Sequence, residues 1–73
     1  MNSNTLHALN KELQRLIGLD MLERSNQGIN ATTQQLAFLR KKIMSGQING
    51  MEKFICDIAG PKSNLLKILD NDE

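Results

Sequence analysis

The chain has 73 residues, nine Lys and Arg against eight Asp and Glu, a single Cys and no Trp or Tyr. That length makes one small domain with about a few kcal/mol of stability, and one thiol excludes an internal disulfide. A net charge of +1 excludes neither acidic nor basic partners, whereas the absence of Val, Tyr and Trp removes the residues on which strands draw. The expected fold is all-α: a small helical bundle spanning residues 1–69, with an acidic tail over 70–73.

The first predicted helix covers about residues 4–25, with Ser3 or Asn4 as the N-cap. Leu6, Leu9, Leu13, Leu16 and Ile17 recur at three- and four-residue steps and so fall on one stripe. Gly18 costs about 1 kcal/mol in a helix interior, so it marks a bend or a close backbone approach. The stretch SNQG ends the helix, with Gly28 supplying the left-handed residue. A second helix is predicted over about 31–45, capped by Asn30, with Leu36, Leu39 and Ile43 as its buried stripe. Arg40, Lys41 and Lys42 sit near its carboxyl end, where cations suit the helix dipole, and Gly46 closes it. These two helices form an antiparallel hairpin.

Two short helices complete the prediction, packed at one end of the hairpin. One covers about 50–59, begins at an Asn49–Glu52 capping box, and buries Met51, Phe54, Ile55 and Ile58. The other covers about 61–69, places Pro61 in its first turn, and buries Leu65, Leu66, Ile68 and Leu69. The segment SGQING at 45–50 lacks the glycine spacing of a phosphate loop and no strand precedes it. It reads as a corner, with Gly46 and Asn49 as caps and Ile48 folded inward.

Little in the chain points to catalysis, and no enzyme activity, cofactor or metal is expected. His7 and Cys56 are the only residues of their kinds, and no neighbouring group orients either as base or nucleophile. Metal sites need three or four ligands at characteristic spacing. Glu12, Asp20 and Glu23 interleave with Lys11, Arg15 and Arg24, the pattern of a solvated helix face.

Two binding functions remain. Leu19, Leu22 and Phe38 lie off the apolar stripes, and a phenylalanine left in water forgoes about 1.5–3 kcal/mol of burial. They are the expected anchors of protein–protein docking or homodimerisation, in the manner of an antirepressor, anti-toxin or co-chaperone. The alternative is a small DNA-binding regulator using Arg40, Lys41 and Lys42, with the second and third helices as a loose helix-turn-helix. Against it, the third helix offers Glu52, Lys53 and Asp57 outward, and two of those three repel phosphate. With no apolar run in residues 1–13, no segment near the roughly 20 residues that span a bilayer and an unpaired Cys56, a cytoplasmic location is expected. The frequent Asn and Ile suit an AT-rich bacterial or phage gene.

Overall fold

The computed structural model describes residues 2–71 and folds them into five helices. These are α1 (Ser3–Ile17), α2 (Met21–Asn26), α3 (Thr33–Met44), α4 (Glu52–Ala59) and α5 (Asn64–Asp70). No strand occurs among the described residues, so the all-α expectation holds. Of the expected acidic tail, Asp70 closes α5, whereas Asp72 and Glu73 lie outside the described residues.

The amino-terminal helix is shorter than the sequence predicts, because it breaks. Asn2, rather than Ser3 or Asn4, caps α1 and accepts the Thr5 N–H at 2.8 Å. The Gly18 N–H then bonds to the Gln14 carbonyl at 3.0 Å, and the helix stops. Two residues on, the Asp20 carboxylate accepts the Glu23 N–H at 2.8 Å and starts α2. A good cap just past a poor helix former outcompetes continuation of the helix. Helix α2 ends as predicted: Gly28 has φ 77°, the Ile29 N–H reaches back to the Arg24 carbonyl at 2.9 Å and that of Gly28 to Ser25. This is the Schellman pattern.

Three other starts move for related reasons. Thr32, not Asn30, caps α3, because Gln35 three residues later closes a capping box with it. The Asn30 N–H instead bonds to the Ile58 carbonyl at 2.8 Å and ties the linker to α4. The expected Asn49–Glu52 box does not form: the chain turns through Asn49 and Gly50, and Met51 precedes α4 without a side-chain cap. Ser63 caps α5, while Pro61 sits before the helix in a turn closed by the Ser63 N–H on the Gly60 carbonyl at 3.3 Å. Proline's fixed φ suits the second position of such a turn. Of the corner read at 45–50, Ile48 is buried and Gly46 left-handed as expected, but Asn49 caps nothing.

Helix α1 packs on α3 and α5, and α4 on α5. Midway along the α1–α3 pair the Arg40 Nε donates to Asn10 Oδ1 at 2.7 Å. At one end, Arg24 joins the carbonyls of Leu16 and Ile17 to Thr33, so the two helices run antiparallel. Rather than sitting at the end of this hairpin, α5 lies along α1: Asn64 shares a groove with Arg15, and Asn71 with Ala8. The predicted stripes supply the core, with Leu9, Leu13, Leu16, Leu36, Leu39, Ile43, Ile55, Ile58 and Leu65 all buried. Ile29 and Ala31 from the α2–α3 linker join them.

Candidate functional site

Arg24 is the least expected residue in the structure. The sequence places it on a solvated face, yet it is 2 % exposed. Its Nε donates to the Leu16 carbonyl at 2.9 Å, Nη2 to the Ile17 carbonyl at 3.1 Å and to Thr33 Oγ1 at 2.9 Å, and Nη1 to the Ala31 carbonyl at 3.2 Å. Nη1 also meets the Met21 sulfur at 3.3 Å. None of these acceptors is a carboxylate. Two are last-turn carbonyls of α1, the negative end of a helix dipole. The break at Gly18–Asp20 brings this about, because a continuous helix could not turn residue 24 back onto residues 16 and 17. Arg24 thereby fixes α2, the linker and the first turn of α3 against the end of α1.

With its amino end held, α3 presents a well-defined outer face. Leu36, Leu39 and Ile43 point inward, while Thr33, Gln34, Ala37, Phe38 and Lys41 are exposed. Gln34, Ala37, Phe38 and Lys41 are spaced i, i+3, i+4 and i+7, one line along a helix. No acidic residue occurs between Arg24 and Met51, so the face carries no negative charge of its own. Of the neighbouring glutamines, Gln35 is used internally: its Oε1 accepts the Thr32 N–H at 2.9 Å. Gln34 faces out.

The nominated residues separate on this frame. Leu19 is half-buried and packs against the core. Leu22 is 71 % exposed on α2, beside Met21 at 55 %. Phe38, 47 % exposed, meets Phe54 edge-on at 5.8 Å, and Lys42 Nζ lies 5.4 Å above its ring. The three basic residues also diverge. Arg40 turns to Asn10 on α1, Lys41 is exposed, and Lys42 is drawn over Phe38 and to Gln47 Oε1 at 3.2 Å. Phe38, Lys41, Lys42, Ser45 and Gln47 line a shallow groove of about 320 Å³, so of the two sets that the sequence assigns to rival functions only Phe38, Lys41 and Lys42 come together.

Neither α3 with α4, the expected helix-turn-helix pair, nor α2 with α3 is among the closely packed helix pairs. Helix α4 exposes Glu52 and Asp57, whereas α3 carries no acid. The connection of α2 to α3, residues 27–32, is longer than the usual turn of about three or four residues, and Arg24 holds it. The side chain that sequence reasoning misplaced is Arg24, which is buried. The available signal was Asp20, a cap residue just past Gly18, which splits the first helix.

His7 and Cys56 stay on separate elements, the first exposed on α1 and the second half-buried on α4. Among the described residues no group of three or more His, Cys, Asp or Glu is placed to hold a metal ion, and no helix is long and apolar enough to cross a membrane. The chain matches no known family model, no curated protein and no solved structure.

Proposed function

We propose that this chain is a small non-catalytic regulator that binds duplex DNA, with α3 laid in the major groove and α2 bracing its amino end. The supporting observation is the outward line of Gln34, Ala37, Phe38 and Lys41 on a helix free of acids. A helix is about 10–12 Å across with its side chains, and the major groove is about 12 Å wide. Hydrogen-bonding and small side chains can then approach base edges, while Lys41 and Lys42 meet phosphate. Few cations are available, so affinity rests on only about two or three phosphate contacts and its logarithm falls with log salt at a slope near −2 to −3. Fluorescence anisotropy with a labelled random duplex between low and physiological salt tests this. Binding that ignores salt, or no binding by the folded chain, overturns it.

A second reading has its own observation, the adjacent exposed Met21 and Leu22 on α2. These apolar side chains lie outside the α3 line and suit protein docking, with a second copy or with the partner of an antirepressor, anti-toxin or co-chaperone type of adaptor. A homodimer accommodates both readings, because two-fold related recognition helices read two half-sites. Light scattering coupled to size exclusion decides between monomer, dimer and mixed complex. Both readings fit a cytoplasmic regulator of bacterial or phage origin.

A further inference from the structure

We infer that Met21 is a site of reversible oxidation by hydroperoxides, at which Arg24 selects one of the two sulfoxide epimers, independently of either binding reading above. Met21 opens α2 and is 55 % exposed, so a small oxidant reaches its side chain. Its sulfur is nonetheless held. The Arg24 Nη1 donates to Met21 Sδ at 3.3 Å. Arg24 is itself buried and bonded to the carbonyls of Leu16, Ile17 and Ala31 and to Thr33 Oγ1. An exposed thioether is thus tied to a donor that cannot follow it into solvent.

The chemistry follows from the two lone pairs of a thioether. One of them attacks the terminal oxygen of the hydroperoxide, the S–O bond forms as the O–O bond breaks, and sulfur gives up two electrons. The departing oxygen takes the proton of the transferred hydroxyl and leaves as water or an alcohol. Because the lone pairs lie on opposite faces of the sulfur, the one that reacts fixes the configuration of the sulfoxide. The Arg24 N–H occupies one face, so the oxygen arrives on the other. A thioether sulfur is a weak acceptor, whereas the sulfoxide oxygen is a strong one, and rotation about the Cγ–Sδ bond lets it replace sulfur as the partner of Nη1. Oxidation therefore leaves the Arg24 contacts to α1 and α3 in place while it makes the exposed Met21–Leu22 surface polar. Thiol-dependent reductases, one class for each epimer, reverse it.

Met44 is the internal comparison. It is equally exposed, at 55 %, and among the described residues no hydrogen bond reaches its sulfur. The test treats the full chain with limiting hydrogen peroxide and digests it. Mass spectrometry then quantifies sulfoxide at Met21 and Met44 before and after each reductase class. A hydrogen bond of ordinary net strength corresponds to about a three- to fivefold excess of one epimer at Met21, while Met44 gives nearly equal amounts. Oxidation in urea that unfolds the chain should abolish the Met21 excess. Circular dichroism of the treated chain should match that of Met21→Leu treated alike. Equal epimers at Met21 in the folded chain, an excess that persists in urea, or protection of Met21 while Met44 reacts overturns the inference. So does a loss of helical signal that Met21→Leu does not share.

Discussion

The Arg24 guanidinium donates to the Leu16 carbonyl, eight residues back in the chain, at 2.9 Å in a buried site. Truncating it would strand the carbonyls of Ile17 and Ala31 and leave that of Leu16 with only the Leu19 N–H at 3.2 Å, and each buried acceptor left without a partner costs about 1–3 kcal/mol. For a domain with only about a few kcal/mol to spare, Arg24→Ala should leave the chain largely unfolded at 37 °C. Arg24→Lys keeps the charge, reaches fewer acceptors and should fall between. Urea denaturation followed at 222 nm checks this order. Equal midpoints for all three proteins would mean that those carbonyls find other donors.

The glycines at the ends of α1 and α3 should respond oppositely to alanine. Gly18 has φ −73°, which any residue adopts, and an added Cβ would meet only the Gln14 and Arg15 carbonyl oxygens, at 3.4 and 3.5 Å. Gly18→Ala should be neutral or raise stability by up to about 1 kcal/mol, by restricting the unfolded chain. Gly46 has φ 77°, and Gly46→Ala should lower stability by about 1–2 kcal/mol. Thermal melts of the two variants give the comparison directly.

What could be read in the sequence follows from range. The apolar stripes of all the predicted helices were legible because helical periodicity is local, and they gave the core residues Leu9, Leu13, Leu16, Leu36, Leu39, Ile43, Ile55, Ile58 and Leu65. Gly28 and Gly46 were legible for the same reason. The helix starts were not, because competing caps such as Asn30 and Thr32 are separated only by which partner each backbone N–H finds, and that of Asn30 finds Ile58 across the fold. Arg24 was hidden altogether. Its burial depends on a break four residues upstream, and a charged residue on an amphipathic pattern otherwise reads as solvated.

Arg40 and Lys41 are neighbours in sequence but should behave differently in binding. Lys41→Ala removes an exposed cation, so it should weaken binding to all duplexes alike and make the salt slope shallower by about 1. Arg40→Ala breaks the bond to Asn10 between α1 and α3. It should lower the melting temperature and leave the salt slope nearly unchanged. Anisotropy titrations at three salt concentrations, beside thermal melts, separate the two. A slope reduced equally by both would place Arg40 on the phosphate backbone.

Leu22 and Phe38 differ in what supports them, and that difference separates an interface role from a core role. The Phe38 ring packs edge-on against Phe54, a contact worth about 0.5–1.5 kcal/mol beyond the buried area, so Phe38→Ala should destabilise the monomer as well as any complex. Leu22 is largely exposed, so Leu22→Asp should leave the melting temperature within about 1–2 °C of the unaltered chain, as surface changes usually do. If Met21 and Leu22 form the contact between two copies, the same substitution should convert a scattering mass of twice the chain to that of one, with helicity intact. A monomeric unaltered chain would remove self-association from Leu22 and leave a foreign partner as its occupant. Loss of helicity in Leu22→Asp would instead assign the side chain to the fold, contrary to its exposure.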